Sequence, residues 1–125
     1  MARDLLTTER MLDGVSGDLE RYMDLLVARQ RLVASNIANV DTPGYRTKDI
    51  QFQAEFLNAA ERMSGVSPRV VEVDGLPVKN DGNDVSIDRE SRLLAENALR
   101  FQVASNLLRS QIRVVKAAID EGKNG

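Results

Sequence analysis

The chain has 125 residues, enough for one domain, and its 42% hydrophobic and 29% charged content is not that of a disordered polymer. A formal net charge of −2 argues against nucleic acid as a partner, because phosphate binding normally leaves a basic excess. Cysteine and histidine are both absent, which removes disulfides, thiolate metal sites, the commonest general base and the commonest transition-metal ligand.

Met1 to Ser16 lacks the apolar core of a secretory signal peptide, the chain holds no transmembrane run, and Gly14 and Gly17 predict a frayed or partner-dependent start. The helix proper is expected over 18–40. Leu19, Met23, Leu26, Gln30, Val33, Ile37 and Val40 alternate steps of four and three, the spacing of a coiled-coil seam. Asp18, Glu20 and Asp24 precede Arg29 and Arg31, an order that complements the helix dipole. Thr42-Pro43-Gly44-Tyr45 suits a type II turn and predicts a stop near Asn39.

The middle, 41–87, reads as this turn, a short helix and an irregular, partly β insertion. Asp49 is the expected cap of a helix from Ile50 to Met63, with Phe52, Phe56, Ala59 or Ala60, and Met63 on one face. Arg69 to Val73 is β-prone, Asp74-Gly75 marks a turn, and Pro77 confines a second extended run, Leu76 to Val78, to an edge. Asn80 to Asp84 is a polar loop. Asp88 is the expected cap of a last helix over 88–121, stopped by Gly122.

That helix repeats the seam rhythm in Leu94, Ala98, Phe101, Ser105, Leu108, Ile112, Val115 and Ile119. Leu26, Val33 and Ile37 are therefore expected to pack against Phe101, Leu108, Ile112 and Val115. A second row of Val103, Leu107, Val114 and Ala117 makes the apolar face too broad for one hairpin to bury, so neighbouring subunits are expected to cover Val103, Leu107 and Val114. Gln30 and Ser105 either fix the register of the seam or sit where packing is looser; Asn97, Asn106 and Gln111 read as solvated. The expected fold class is mainly α, a single domain whose terminal helices pair as a coiled-coil hairpin around the insertion.

Asp81 to Glu90 is acidic enough to raise a calcium loop, but Val85 and Ser86 stand where the fifth ligand and the invariant glycine belong. No phosphate loop or nucleophile elbow is present, so no catalytic, cofactor or metal residue is assigned.

Asn36, Ala38, Asn39, Thr42, Pro43, Gly44 and Tyr45 together form the Asn-x-Ala-Asn-x-x-Thr-Pro-Gly-Tyr motif, and the chain resembles the bacterial flagellar rod, hook and hook-filament axial family that carries it. Arg46 to Phe52, Asp81 to Glu90, Leu99 to Gln102 and Ser110 to Arg113 are most similar to the proximal rod branch, with the sister rod protein FlgC as near neighbour. The resemblance runs from about Leu19 to about Glu121 and weakens between Ser64 and Asn80. It implies a structural subunit that assembles helically and carries torque, and it makes the seven motif residues a packing or assembly element. It implies as partners further copies of the chain, other rod proteins, the rod adaptor protein FliE, the MS-ring protein FliF and the flagellar type III export apparatus. It also implies delivery to the periplasmic rod without a cleaved signal peptide. The competing expectation is a coiled-coil adaptor acting as a discrete dimer.

Overall fold

The computed structural model describes residues 2–58 and 67–124. Helix α1 (Ala2–Ala38) leads into strand β1 (Lys48–Ile50), the short helix α2 (Phe52–Asn58), strand β2 (Val70–Glu72) and helix α3 (Ile87–Asn124). The molecule is mainly helical, as expected, with α1 and α3 packed antiparallel along their lengths and the insertion at one end.

α1 starts at Ala2 and not at residue 18. Gly14 and Gly17 each weaken a helix by about 1 kcal/mol, which is too little to stop one that contains no proline and keeps its seam rhythm back through Leu12. At its other end α1 stops where the sequence predicts. Tyr45 N–H closes on the Thr42 carbonyl at 3.2 Å, and Gly44 sits at φ 75°, which makes Thr42 to Tyr45 a type II turn.

β1 and β2 pair antiparallel, with Lys48 opposite Glu72, Asp49 opposite Val71 and Ile50 opposite Val70. This corrects the local hairpin expected between Arg69–Val73 and Leu76–Val78: β2 takes its hydrogen bonds from β1, and the Pro77 segment, short of one N–H donor, stays outside the ladder. α2 begins at Phe52, with Glu55 N–H bonded to the Gln51 carbonyl, so Asp49 is not its cap. The part of the expected helix from Ala59 to Met63 lies outside the described residues. Tyr22 of α1 meets the rings of Phe52 and Phe56 edge-on at 5.4 and 5.8 Å, which fastens α2 to α1.

α3 begins at Ile87 and its cap is Ser86, not Asp88: Ser86 Oγ accepts the Arg89 N–H at 3.3 Å, leaving Asp88 inside the first turn, where its charge favours the helix dipole. The seam of α1 is buried or half-buried throughout, from Leu19 to Val40. On α3 the seam is rotated by one residue from the expected row. Leu93, Asn97 and Ala104 are buried, whereas Leu94 and Ala98 are exposed. Leu108 and Val115 are half-buried, but Phe101 is 38% and Ile112 57% exposed, so neither belongs to the dry seam. The cause is polar. Glu90, Asn97, Ala104 and Gln111 recur every seven residues on the face turned to α1, and apolar periodicity alone passes over three of the four.

Buried side chains among the described residues all fall between Leu25 and Ala104. The stretches 10–24 and 105–123 contribute none, so the hairpin end remote from the insertion has no dry core of its own. In the isolated chain, amide hydrogen exchange should therefore be slow from Leu25 to Asn36 and from Glu90 to Asn97, and fast beyond Leu108 and before Leu19. Uniform protection along both helices would show that the remote end needs no neighbour.

Candidate functional site

Beneath the turn motif lies a junction that is more polar than apolar. Asn36, Thr47, Asp49, Glu55, Asn83, Asp84, Glu90 and Asn97 are buried, against seven buried apolar residues in the whole described chain. Groups of this kind survive burial only when hydrogen-bonded or paired, so their partners define the site.

Asn36 is fully buried near the end of α1. Its Nδ2 donates to the Lys48 carbonyl at 2.8 Å and to Glu90 Oε2 at 3.1 Å; its Oδ1 accepts the Lys48 N–H and the Tyr45 hydroxyl, both at 3.1 Å. All four bonding capacities are used. Toward Lys48 the carboxamide acts as one more peptide unit, bonding both polar groups of a strand residue. One side chain thus joins α1, the turn, β1 and α3.

Asn39 serves locally, donating to the Ser35 carbonyl at 2.8 Å and accepting the Thr42 hydroxyl at 3.0 Å. Asn83, on the loop before α3, closes the junction from the far side. Its Nδ2 donates to the carbonyls of Asn39 and Thr42 at 2.9 and 2.8 Å, and its Oδ1 accepts the Val85 N–H. Asp84 Oδ1 takes both the N–H and the hydroxyl of Thr47, and Arg46 approaches its other oxygen at 3.5 Å. Gly44 N–H bonds the Asp81 carbonyl, and a Cβ on Gly82 would stand 3.4 Å from Gly44 Cα. Turn and loop therefore meet backbone to backbone, and the positive φ of Gly44 and Gly82 suits glycine at both.

Charges cross the same junction. Arg29 grips Asp49 with two parallel bonds of 3.1 Å, Arg89 reaches Asp49 Oδ2 at 2.7 Å, and Arg89 also holds Glu90 Oε1 at 2.7 Å. Burial raises the Asp49 carboxyl, but the bonds from Arg29, Ile50 N–H and Arg89 outweigh it and leave the group below its ordinary value. Along the hairpin, Asn97 Nδ2 donates to the Leu26 carbonyl at 2.6 Å and to Gln30 Oε1 at 3.2 Å. The polar register pair is thus Gln30 with Asn97, not with Ser105.

The motif residues consequently divide. Asn36 and Tyr45 are wired into the junction, Asn39 and Thr42 bond each other at its exposed edge, and Ala38 and Pro43 are exposed on the outer surface. Sequence reasoning missed Arg29, Asp49, Asn83, Asp84, Arg89 and Glu90 as one network. The signal for Glu90 and Asn97 was their seven-residue spacing on a seam; the pairing of Asp49 with Arg29 and Arg89 has no local signature. Val103, Leu107 and Val114 lie exposed, by 51%, 51% and 54%. Among the described residues no group of three or more Asp and Glu side chains is placed to hold a metal ion.

Residues 24–46, the half of α1 that carries Asn36 together with the whole turn, match the family described as Flagella basal body rod protein. The flagellar basal body rod protein FlgB of Borrelia hermsii is 32% identical over 122 residues, covering 79% of this chain and 90% of that protein. FlgB of Yersinia ruckeri and of Escherichia coli are each 29% identical over 137 residues, covering 90% of this chain and 100% and 99% of theirs. The chain belongs to the FlgB family of flagellar basal body rod proteins. Similarity to FlgB over nearly whole lengths separates it from the sister FlgC, and the FlgB family places it among structural proteins of the basal body. No described helix is long and apolar enough to cross a membrane.

Asn36→Asp tests the FlgB-family junction directly. The substitution keeps the shape but removes both donors and sets a second carboxylate against Glu90, and it should cost about 3 kcal/mol or more in urea unfolding. A cost below about 1 kcal/mol would show that the junction does not depend on this amide. Asp49 gives a pH signature. Because its folded pKa is depressed, its stabilisation is complete above the unfolded value of about 3.9 and is lost as pH falls through the folded value. The stability gap between the parent chain and Asp49→Asn should shrink as pH drops below about 4, and a pH-independent gap would contradict the pairing.

Proposed function

We propose that this chain is a structural subunit of the proximal rod whose polar junction fixes subunit shape and whose remote hairpin end is completed by neighbouring subunits. Its membership of the FlgB family makes it a rod component that assembles with other rod components. The finer reading has it packed beside further copies and sister rod proteins, with FliE and FliF at its base. It would be delivered to the periplasm by the flagellar export apparatus without a cleaved signal, and it would have no enzymatic role.

One observation carries the assembly reading. On one side of the hairpin Val15, Leu19, Tyr22, Phe56, Val103 and Leu107 line an apolar groove of about 590 Å³, at the level where buried side chains cease. An exposed groove this size on so small a domain forgoes burial that a neighbouring helix would supply. Ile112, Val114 and Ile119, each about half exposed, extend the apolar surface beyond it. A discrete dimer needs a single seam, and an apolar surface broader than one seam fits an open wall of subunits better. In this reading Ala38 and Pro43, outward on the turn, meet a neighbour as well.

The test is to make the groove polar without touching the junction. In cells lacking their own copy, a Val103→Glu and Leu107→Glu double variant should be exported at the parent level yet leave the cells non-motile, with no chain in purified basal bodies. Normal swimming and rods containing the variant would remove the lateral role of this face.

A further inference from the structure

The outer edges of the two long helices carry opposite charge that the chain does not pair. From Met11 to Ala28 there are four acidic residues and one basic; from Asn97 to Ile119 there are four basic and none acidic. Helical spacing puts Asp13, Glu20 and Asp24 on one stripe of α1, turned away from the seam, and Arg109, Arg113 and Lys116 on one stripe of α3. All six are exposed, and none makes an ion pair within the described residues; Arg113 bonds only Ser110, on its own helix. In an antiparallel hairpin both stripes lie on the side away from the Val103 and Leu107 groove but at opposite outer edges, so neither can reach the other inside one subunit. Copies set side by side, all facing the same way, bring the α3 stripe of one against the α1 stripe of the next.

Spacing supports the match. Asp13 and Glu20 are seven residues apart, as are Arg109 and Lys116. Antiparallel helices thus join Asp13 with Lys116 and Glu20 with Arg109 in one register. Gly14 and Gly17 lie between the two acids, and a Cβ on Gly14 would touch nothing while one on Gly17 would meet only Arg21. Both glycines weaken the helix without serving any contact inside the chain, and both let a neighbouring helix come close.

We infer that the lateral contact between copies of this chain is heterologous: the basic stripe of α3 of one copy docks on the acidic stripe of α1 of a second copy. This rests on the rod-subunit reading and adds its geometry. Inside the chain Asn97 lies against Leu26 and Asn36 against Glu90, a register that sets Glu20 level with about Ala104. Placing Glu20 against Arg109 of the next copy slides that copy about five residues, or about 7.5 Å, along the axis. A head-to-tail contact with an axial step cannot close into a flat ring, so repetition gives a helical wall.

Charge reversal in full-length chains tests this in cells lacking their own copy. Arg109→Glu alone and Glu20→Arg alone should each reduce assembled rods by roughly an order of magnitude, because like charges then meet at every contact. The Glu20→Arg, Arg109→Glu double variant should restore them. The chain has no cysteine, so a Glu20→Cys, Arg109→Cys variant gives a second measurement independent of folding energy. Oxidised basal bodies should yield a ladder of multimers, since a heterologous contact links each copy to two others. Rods unaffected by either single reversal, a double variant no better than the singles, cross-linked dimers only, or cross-links to another rod protein would each overturn the contact. Absence of the unaltered chain from purified basal bodies would instead overturn the rod-subunit reading itself.

Discussion

The buried carboxamide of Asn36 is the constraint on which the rest of the molecule depends. A helix ending in water can leave in many directions, and here the direction is set because one side chain bonds the strand that follows, the tyrosine of the turn and a glutamate on the returning helix. Glu90 is held in turn by Arg89, Arg89 by Asp49, and Asp49 by Arg29 back on α1, so the chain of contacts returns to the helix on which it began. Networks of this kind add little net stability over an apolar core of equal volume, but they penalise every arrangement that leaves a member unpaired. The junction therefore specifies one geometry more strongly than it stabilises it.

That trade suits the way burial is distributed. Apolar burial is concentrated within a few turns of the junction, where Leu26, Val33, Ile50, Val85 and Leu93 lie, and the helices then continue without a dry core between them. A rigid angle at one end and an incomplete helix pair at the other leave a subunit of defined shape with apolar surface still exposed along the remote helices. Polar contacts decide where the helices point, and apolar contacts near the junction decide how firmly they stay there.

Much of this was legible in the sequence. The paired terminal helices, the α1 seam and the Thr42 to Tyr45 turn follow from spacing and from proline and glycine chemistry, which act locally. The failures share a cause. Reading α3 by its apolar residues selected Leu94 and Ile112, one position away from the true seam, because Glu90, Asn97 and Gln111 occupy the inward face and carry no hydrophobic signal. Asp49 looked like a cap because aspartate before a helix usually is one; only long-range pairing with Arg29 and Arg89 turns it inward. The strand partner of β2 was missed for the same reason, since twenty or more residues separate the two and the nearer turn suggested a local hairpin.

Placement of the polar positions also explains why the motif is informative. An ordinary proline-glycine turn needs only the dihedral preferences of two residues. Here Asn36 and Asn39 lie one helical turn apart and share the work: the first bonds what comes after the turn, the second bonds the Ser35 carbonyl at the helix end and offers its own carbonyl to Asn83. Asn83 reads the turn by donating to two carbonyls at once, a geometry available only if the chain has already bent between Asn39 and Thr42, where the Thr42 N–H bonds the Asn39 carbonyl. The loop before α3 thus docks on a feature that local chemistry creates, and α3 is launched from that loop through the cap of Ser86. Helix, turn, loop and returning helix form an ordered dependence in which each bond presents the surface for the next, so the angle between the two long helices is inherited from a turn of four residues.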